Sequence, residues 1–180
     1  MNKSFLNSYS GKKILVTGIT GFKGSWLGLW LHSLGANVLG IGLENSEKNS
    51  IFNVTNLSEH VEIKILDVTN FDVLVETVEH FKPDYVFHLA AQALVGESYK
   101  DPMQTFRTNV LGTINLLEVL KVRAAPCIGV FITSDKSYKN VEQIWGYRET
   151  DFLGGDDPYS ASKGCADIAI NSYTKSFFEK

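Results

Sequence analysis

The stretch that decides the fold is ILVTGITGFKG at residues 14–24. Its first three residues are apolar and predict a short buried strand, and a turn with glycines at positions 18, 21 and 24 follows directly. Apolar residues then recur at helical spacing, at Trp26, Leu27, Trp30, Leu31 and Leu34, up to Gly35, a residue typical of a helix C-terminus. Because glycine has no Cβ, this strand, turn and helix could bring backbone close to a pyrophosphate resting on the helix N-terminus.

The rest of the chain repeats this alternation. Short apolar runs predict strands at residues 38–41, 61–66, 85–89 and 128–133, and periodic apolar residues predict helices over 71–81, from 101 to about 120, and from near 159 to the chain end. The pattern predicts an α/β fold, a Rossmann-like doubly wound parallel sheet covered on both faces. Ligands bind such sheets beyond the carboxyl ends of the strands, so functional residues are expected just after positions 16, 41, 66, 89 and 133.

The composition and charge of the chain exclude several classes of function. The chain has 180 residues, 44% of them hydrophobic and 21% charged, with a formal net charge of −3, which is typical of a globular domain. Scattered lysines and arginines argue against a nucleic-acid or membrane-surface partner. Polar residues interrupt the apolar stretch 26–43, so no membrane span is expected. The first residues contain no apolar signal segment, and a cytoplasmic location is expected.

The cysteines and histidines do not form a metal-binding pattern, so no metal site is expected. Cys127 and Cys165 stand among small or apolar neighbours, which predicts two buried, reduced thiols. His88 falls inside the fourth predicted strand and is expected to pack in the core.

The glycine-rich turn suggests a dinucleotide site, although glycines required only by packing are the alternative. Asp67 ends the third predicted strand, from where it could reach an adenine. A ribose-binding carboxylate is expected after the second strand, and the nearest acid there is Glu44, for which a solvated loop position is equally compatible. No Lys or Arg stands at that edge to hold a 2′-phosphate, which favours NAD over NADP.

Two sets of polar residues are candidates for catalysis. Tyr159 and Lys163 stand four residues apart at a predicted helix start, where the cation favours an ionised phenol able to act as a base, and the alternative is an aromatic ring packed on a lysine stem. Thr133, Asp135 and Lys136 follow the fifth strand, where a hydroxyl, an acid and an amine could bind a substrate hydroxyl and move protons. For Asp135 and Lys136 the alternative is an exposed ion pair.

Together these motifs resemble the extended short-chain dehydrogenase/reductase superfamily, and within it the NAD-dependent CDP-glucose 4,6-dehydratases. The segments that carry the resemblance are TGITGFKGSWL (17–27), FHLAAQALV (87–95), TSDKSYKN (133–140), WGYRE (145–149) and DPYSASKG (157–164). Nucleotide-sugar epimerases of the superfamily usually have small hydroxyl residues at the positions of Asp135 and Lys136, and dTDP-glucose dehydratases have Asp-Glu.

The resemblance implies a redox lyase that converts CDP-glucose to its 4-keto-6-deoxy sugar. It assigns Tyr159 to the proton of the 4-hydroxyl with help from Thr133, and Lys163 to the cofactor ribose and to tuning of the tyrosine. Lys136 would remove the proton at C5 and Asp135 would protonate the departing 6-hydroxyl. This chemistry needs a neutral Lys136 and a protonated Asp135 in a dry site.

The resemblance also assigns the cofactor contacts. Besides Tyr159 and Lys163, it implies that the turn holding the pyrophosphate consists of Gly18, Thr20, Gly21, Phe22, Lys23 and Gly24. Asp67 and Val68 would contact the adenine. The residues after the fourth strand that would line the cofactor are Leu89, Ala90, Ala91 and Gln92. For Gln92 the alternative is a capping amide in a loop. Trp145, Tyr147 and Arg148 would shape the substrate pocket or only pack their loop.

Members of the superfamily continue beyond this segment into a C-terminal lobe that grips the nucleotide of the substrate. We therefore expect residues 1–180 to be an NAD-binding Rossmann domain that lacks the substrate lobe. The resemblance also implies a homodimer through the helices that begin at Asp101 and Tyr159. A non-catalytic NAD-binding fragment or subunit and a nucleotide-sugar 4-epimerase remain the alternative functions.

Overall fold

The computed structural model describes residues 8–123 and 125–179. The strands are β1 (Lys13–Thr17), β2 (Asn37–Gly42), β3 (Glu62–Ile65), β4 (Tyr85–His88) and β5 (Ile128–Phe131). The α-helices are α1 (Phe22–Ser33), α2 (Ile51–Val54), α3 (Phe71–Phe81), α4 (Val95–Lys100), α5 (Pro102–Phe106), α6 (Gly112–Val122) and α7 (Pro158–Tyr173). A π-helical turn, Arg107–Leu111, joins α5 to α6, and a second, Thr174–Phe178, follows α7.

Residue contacts divide the chain into two compact units. Unit 1 holds the described residues up to 90 together with 122–132, and unit 2 holds 91–121 and 133–179. The whole sheet and helices α1 to α3 lie in unit 1, whereas α4, α5 and α7 lie in unit 2.

The sheet confirms the predicted fold class. Its strand order is β3-β2-β1-β4-β5, and all four neighbouring pairs are parallel. On one face Leu31 of α1 packs with Ile14 and Val16, and on the other face α3 borders a groove over Leu39 and Lys64. Helices therefore cover both faces, as in a doubly wound sheet.

Three strands are shorter than predicted. β3 covers 62–65 and β4 stops at His88. β3 ends where its neighbour β2 ends, at Gly42, and β5 stops at Phe131 because its neighbour β4 ends at His88. Single hydrogen bonds continue past these ends, from the Leu66 amide to the Gly42 carbonyl and from the Ile132 amide to the His88 carbonyl. The apolar runs thus mark the strands correctly and overestimate their ends.

Helix α1 buries only part of the face that its large apolar residues form. Trp26 and Trp30 are about half exposed, at 49% and 50%, whereas Gly28 and Leu31 are buried. A Cβ on Gly28 would lie 2.5 Å from Ile19 Cδ1, so the helix approaches the glycine-rich turn through its smallest side chains.

Other predictions also need correction. Helices α2 and α4 fall in polar stretches without apolar periodicity and were not predicted. The prediction of two buried thiols is wrong, because Cys165 is exposed and Cys127 is half-buried, and burial raises the pKa of the Cys127 thiol. Within the described residues, no helix combines the length and apolar character needed to cross a bilayer.

Candidate active site

The glycine-rich turn of unit 1 owes two of its glycines to packing. Gly18 has a φ of +70°, and a Cβ there would lie 2.8 Å from the Ala90 amide nitrogen. Gly24 packs against the carbonyl of Gly18, where a Cβ would overlap that group. These two residues fix the turn between β1 and α1 against the end of β4.

Gly21 differs from the other two. It is exposed, its backbone is extended with a φ of −82°, and a Cβ there would meet only the Gly18 carbonyl oxygen, at 3.3 Å. Gly21 is the N-cap of α1 and has no side chain to cap it, so the first-turn amides at Phe22, Lys23 and Gly24 have no acceptor within the helix. The space over Gly21 and this positive helix end fit a pyrophosphate.

The end of β2 is shaped by the same turn. A Cβ on Gly40 would lie 2.7 Å from Ile19 Cβ, and one on Gly42 would lie 2.7 Å from Thr20 Oγ1. The glycines at the end of β2 therefore make room for the turn. Asn45, which the sequence reasoning missed, donates from Nδ2 to the Thr20 carbonyl at 2.7 Å, while Glu44 is exposed.

The residues after β3 and β4 are held by short-range bonds. Asp67 Oδ1 accepts a hydrogen bond from the Thr69 amide at 2.9 Å, and Val68 is buried. Thr17 Oγ1 accepts from the amides of Leu89 and Ala90, both at 3.1 Å, so the buried Thr17 fixes the predicted cofactor lining. His88 is buried with Nδ1 2.8 Å from Thr17 Oγ1, which confirms it as a core histidine.

In unit 2 a buried amide organises the candidate catalytic residues. Asn109 lies in the π-helical turn and is 1% exposed. Its Oδ1 accepts from the Gln92 amide at 2.8 Å, and its Nδ2 donates to the Gln92 carbonyl at 3.1 Å and to Ser162 Oγ at 2.8 Å. Asn109 was missed because a single Asn in an apolar helix pattern carries no sequence signal of this role.

Gln92 has its side chain occupied within its own loop. Its Oε1 accepts from the Leu94 amide at 2.7 Å, and its Nε2 donates to the Leu94 carbonyl and to Thr105 Oγ1, both at 3.0 Å. These bonds match the capping alternative. Ala91, next to it, is half-buried.

Tyr159 and Lys163 stand on the first two turns of α7. Pro158 is the first helical residue and Asp157 the N-cap, and its Oδ1 accepts from the Ser160 amide at 3.0 Å. Tyr159 is half-buried and Lys163 is 6% exposed. Ser162, between them, donates to the Tyr159 carbonyl at 2.7 Å, which ties this turn to Asn109.

Thr133 precedes a tight turn that carries the other candidates. Asp135–Ser137 forms a 3-10 turn in which Ser134 Oγ accepts from the Lys136 amide at 3.2 Å and donates to Asp135 Oδ1 at 3.1 Å. Asp135 and Lys136 are both exposed, and Thr133 is half-buried. The described residues therefore do not supply the dry surroundings that the proton transfers need.

The loop after this turn is ordered by its own side chains. The rings of Tyr138 and Tyr147 stack at 5.6 Å with an interplanar angle of 6°, and the Tyr147 hydroxyl donates to Asn140 Oδ1 at 2.9 Å. The Arg148 amide donates to Asp151 Oδ2 at 2.8 Å, and this bond is the largest cause that lowers the pKa of Asp151. Of the three candidates here, Tyr147 packs within the loop, whereas the side chains of Trp145 and Arg148 are exposed.

A polar contact joins α6 to α7 in unit 2. The Tyr173 hydroxyl donates to Glu118 Oε1, and Lys121 Nζ lies 2.6 Å from Glu118 Oε2. The bonds from Lys121 and Tyr173 lower the pKa of Glu118, and the carboxylate in turn raises the pKa of Tyr173 to about 12. No cluster of three or more potential metal-binding side chains occurs among the residues that the structure describes.

Comparison with known proteins identifies the family. The family model described as GDP-mannose 4,6 dehydratase matches residues 15–179, which contain both the glycine-rich turn and the Tyr159 helix. The chain belongs to this family. The predicted resemblance to nucleotide-sugar dehydratases is therefore confirmed.

Among curated relatives of the dehydratase family, CDP-glucose 4,6-dehydratase of Salmonella typhimurium is 48% identical over 172 residues, covering 96% of this chain and 48% of that protein. The chain spans about half of the length of the curated relatives it matches. The activity of a whole enzyme is therefore known from these relatives and is a proposal for this chain.

Solved structures agree on the fold. An epimerase from Methanothermobacter thermautotrophicus superposes with a TM-score of 0.83 at 27% identity, over 98% of this chain and 51% of that one. UDP-glucose 4-epimerase from Brucella ovis, solved in complex with NAD, superposes with a TM-score of 0.79 at 25% identity, over 93% of this chain and 49% of that one.

Proposed function

We propose that this chain carries the NAD-binding and proton-transfer residues of a CDP-glucose 4,6-dehydratase. The observation that supports this most strongly is the 48% identity to the Salmonella typhimurium enzyme over 96% of the chain. Asp135 and Lys136 add chemical support, because an acid and an amine side by side suit the loss of water across a carbon–carbon bond. The substrate class is a nucleotide sugar, and the proposed substrate is CDP-glucose.

We propose that residues 1–180 form an NAD-binding Rossmann domain. In unit 1 the exposed Gly21 and the start of α1, with Gly18, Thr20, Phe22, Lys23 and Gly24, would hold the pyrophosphate. Asp67 and Val68 would contact the adenine, and Leu89 and Ala90 would line the cofactor. In unit 2 the same role is proposed for Ala91, Gln92, Tyr159 and Lys163.

The side chains of unit 2 would then move the protons. Tyr159 would accept the proton of the sugar 4-hydroxyl, with Thr133 binding the same oxygen and Lys163 holding the ribose and favouring the phenolate. When bound, NAD would supply the acceptor and later the donor of the hydride at C4 and C6. Lys136 would take the proton from C5 while Asp135 gives a proton to the departing 6-hydroxyl, so that the C5–H and C6–O bonds break and water leaves.

The dehydration is tested by incubating the chain with CDP-glucose and NAD and identifying the product by NMR. The 4-keto-6-deoxy sugar is the expected product, and a 4-epimer would favour an epimerase, the activity named for the two solved structures reported above. In a Tyr159→Phe variant we expect turnover to fall at least about 100-fold with NAD binding retained. Turnover that is unchanged by this substitution would contradict the assigned role.

The absence of any product in wild type, with NAD still bound, would favour the non-catalytic NAD-binding fragment or subunit. The exposure of Asp135 and Lys136 supports this alternative, because exposed groups lack the dry surroundings that their proton transfers need. In that case the Tyr159→Phe variant would bind NAD as the wild type does and the two proteins would be indistinguishable.

We propose a homodimer through the helices that begin at Pro102 and Pro158. Met103 and Ile168 on these helices, and Leu111 on the π-helical turn after the first, are large apolar side chains that are more than half exposed. Light scattering at micromolar protein is expected to give twice the mass of the chain, and a monomer mass would reject this interface.

A cytoplasmic location is also proposed, which the unpaired state of Cys127 and Cys165 supports.

A further inference from the structure

Two histidines from separate elements of unit 1 lie side by side on the surface. His32 is in the last turn of α1, and His60 is the C-cap of the 3-10 turn Leu57–Glu59, which precedes β3. Their ring centroids are 5.5 Å apart with an interplanar angle of 42°, and both residues are exposed. The two residues are distant in the sequence, so no ligand spacing could indicate this pair.

The backbone beneath both rings is anchored in the core. Leu31 and Val61, the neighbours of His32 and His60, are 1% and 7% exposed and belong to one buried cluster with Leu57. The amides of His60 and Val61 both donate to the Leu57 carbonyl, at 3.0 and 3.1 Å. The fold therefore brings the two imidazoles together, and a ligand that bridges them would have little backbone left to order.

The distance between the rings matches that of two imidazoles on one metal ion. A Zn²⁺ ion bound to two imidazole nitrogens at about 2.1 Å in tetrahedral geometry places the ring centroids about 5 Å apart. Neutral imidazole is a ligand for Zn²⁺ and for other divalent transition metals. Glu59 and Glu62, which flank His60 in the sequence, are exposed carboxylates whose charge favours a cation there.

We propose that His32 and His60 form a two-histidine site for a divalent transition metal, represented by Zn²⁺. Among residues 8–123 and 125–179 no third potential ligand joins the pair, so water would complete the coordination. The bound ion would link the end of α1 to the segment before β3 and stabilise unit 1, because the unfolded chain does not hold the two rings together. This proposal replaces the expectation that the histidines bind no metal.

The metal site lies apart from the proposed NAD site. His32 is about 15 Å along the axis of α1 from Phe22, which begins the helix after the glycine-rich turn. We therefore expect substitution of either histidine to leave NAD binding unchanged. Metal binding can be measured whether or not the chain turns over CDP-glucose, so failure of the proposed function would leave this site open to test.

The first test is calorimetric titration of the purified, untagged chain with ZnCl₂ near neutral pH. We expect His32→Gln and His60→Gln each to weaken Zn²⁺ binding at least about 10-fold, because each removes one of two ligands. The double variant should lose little more than either single variant, since a lone imidazole binds the ion weakly. Glutamine at these exposed positions keeps a polar side chain, so the melting temperature without metal should match wild type.

Two other exposed metal ligands supply the matched controls. His80→Gln removes a histidine of α3, and Cys165→Ser removes a thiol of α7. Both variants should bind Zn²⁺ as wild type does. A wild-type affinity in His32→Gln or in His60→Gln would overturn the proposal, and so would a loss of binding in Cys165→Ser or no binding by wild type, which would leave the rings in contact by packing alone.

The second test asks whether one ion binds both rings. In ¹H–¹⁵N correlation spectra of the imidazole nitrogens, Zn²⁺ is expected to shift the signals of His32 and His60 with one common midpoint and to leave those of His80 in place. Different midpoints for His32 and His60 would indicate separate sites and overturn the shared ion. Zn²⁺ should also raise the melting temperature of wild type and not that of the double variant.

Discussion

At the scale of single residues, the glycine-rich turn combines two requirements that look identical in the sequence. Gly18 and Gly24 are needed by the fold, through a positive φ and a close approach. Gly21 has an ordinary extended backbone and an exposed position, so the absence of a side chain there leaves room for a ligand outside the turn. Spacing predicts all three glycines but cannot separate these reasons, because the neighbours Ala90 and Gly18 are brought together only by the fold.

Substitution of Gly21 tests this distinction. Gly21→Ala is expected to weaken NAD binding about 10- to 100-fold, because the added methyl group occupies ligand space, while the melting temperature without NAD falls by only about a few degrees from the less favourable N-cap. Calorimetric titration measures the affinity. Gly96→Ala, whose Cβ would meet nothing within 4 Å, is the control and should bind as wild type does. Full NAD affinity in Gly21→Ala would remove this residue from the proposed site.

At the scale of elements, the sequence located the helices well where apolar periodicity and caps coincide. Asp101 caps α5 through the Gln104 amide and Asp157 caps α7 through the Ser160 amide. The interruption of the long helix at Arg107–Leu111 was not predicted, since a π-helical turn adds one residue without altering local composition. Its cause is visible only in three dimensions, where Asn109 bonds to Gln92 and Ser162.

Removal of the Asn109 side chain should be costly. Asn109→Ala leaves the Gln92 amide and carbonyl without this buried partner, and we expect the free energy of unfolding to fall by about 2–4 kcal/mol. Urea unfolding followed by circular dichroism measures the change. Gln104→Ala, on the preceding helix α5, removes only a side-chain bond to Thr108 Oγ1 at 3.2 Å and should cost less than about 1 kcal/mol. Equal losses in the two variants would contradict the role of Asn109.

The contact between α6 and α7 predicts a defined pH dependence. The pKa of Glu118 is lowered on folding, so its contribution to stability is lost as pH falls below its ordinary value of 4.5. The pKa of Tyr173 is raised from 10.0 to about 12, so its contribution is present below pH 10 and lost as pH rises through this interval. The hydrogen bond is therefore expected to stabilise fully between these limits.

Tyr173→Phe isolates this contribution. The variant should be less stable than wild type by about 1 kcal/mol near neutral pH, a low value because the pair is partly exposed. The difference in urea unfolding free energy should stay constant from about pH 5 to 9 and shrink on either side. Tyr147→Phe, in the loop after the Asp135–Ser137 turn, is the control, because it removes a tyrosine hydroxyl that is bonded to the Asn140 side chain and not to a carboxylate. A Tyr173→Phe difference that is independent of pH below 4.5 would contradict the coupling to Glu118.

At the scale of the whole molecule, the alternation of apolar runs and periodic helices was sufficient to predict a five-stranded parallel sheet. Strands β1 and β2 are buried on both faces and therefore appear as continuous apolar runs, which makes the signal strong. Surfaces were less predictable: the exposed Trp26 and Trp30 look like core residues in the sequence, and Cys165 looks buried. Exposure depends on which elements pack together, and composition does not encode this.

We propose that this member of the dehydratase family binds NAD through the turn between β1 and α1. A thermal-shift titration with NAD and NADP, each with and without CDP-glucose, tests it most directly. We expect NAD to raise the melting temperature in proportion to the logarithm of its concentration above Kd, NADP to act more weakly, and CDP-glucose to add a further rise if the substrate site is formed by this chain. A melting temperature that NAD leaves unchanged, or that NADP raises more, would contradict the claim.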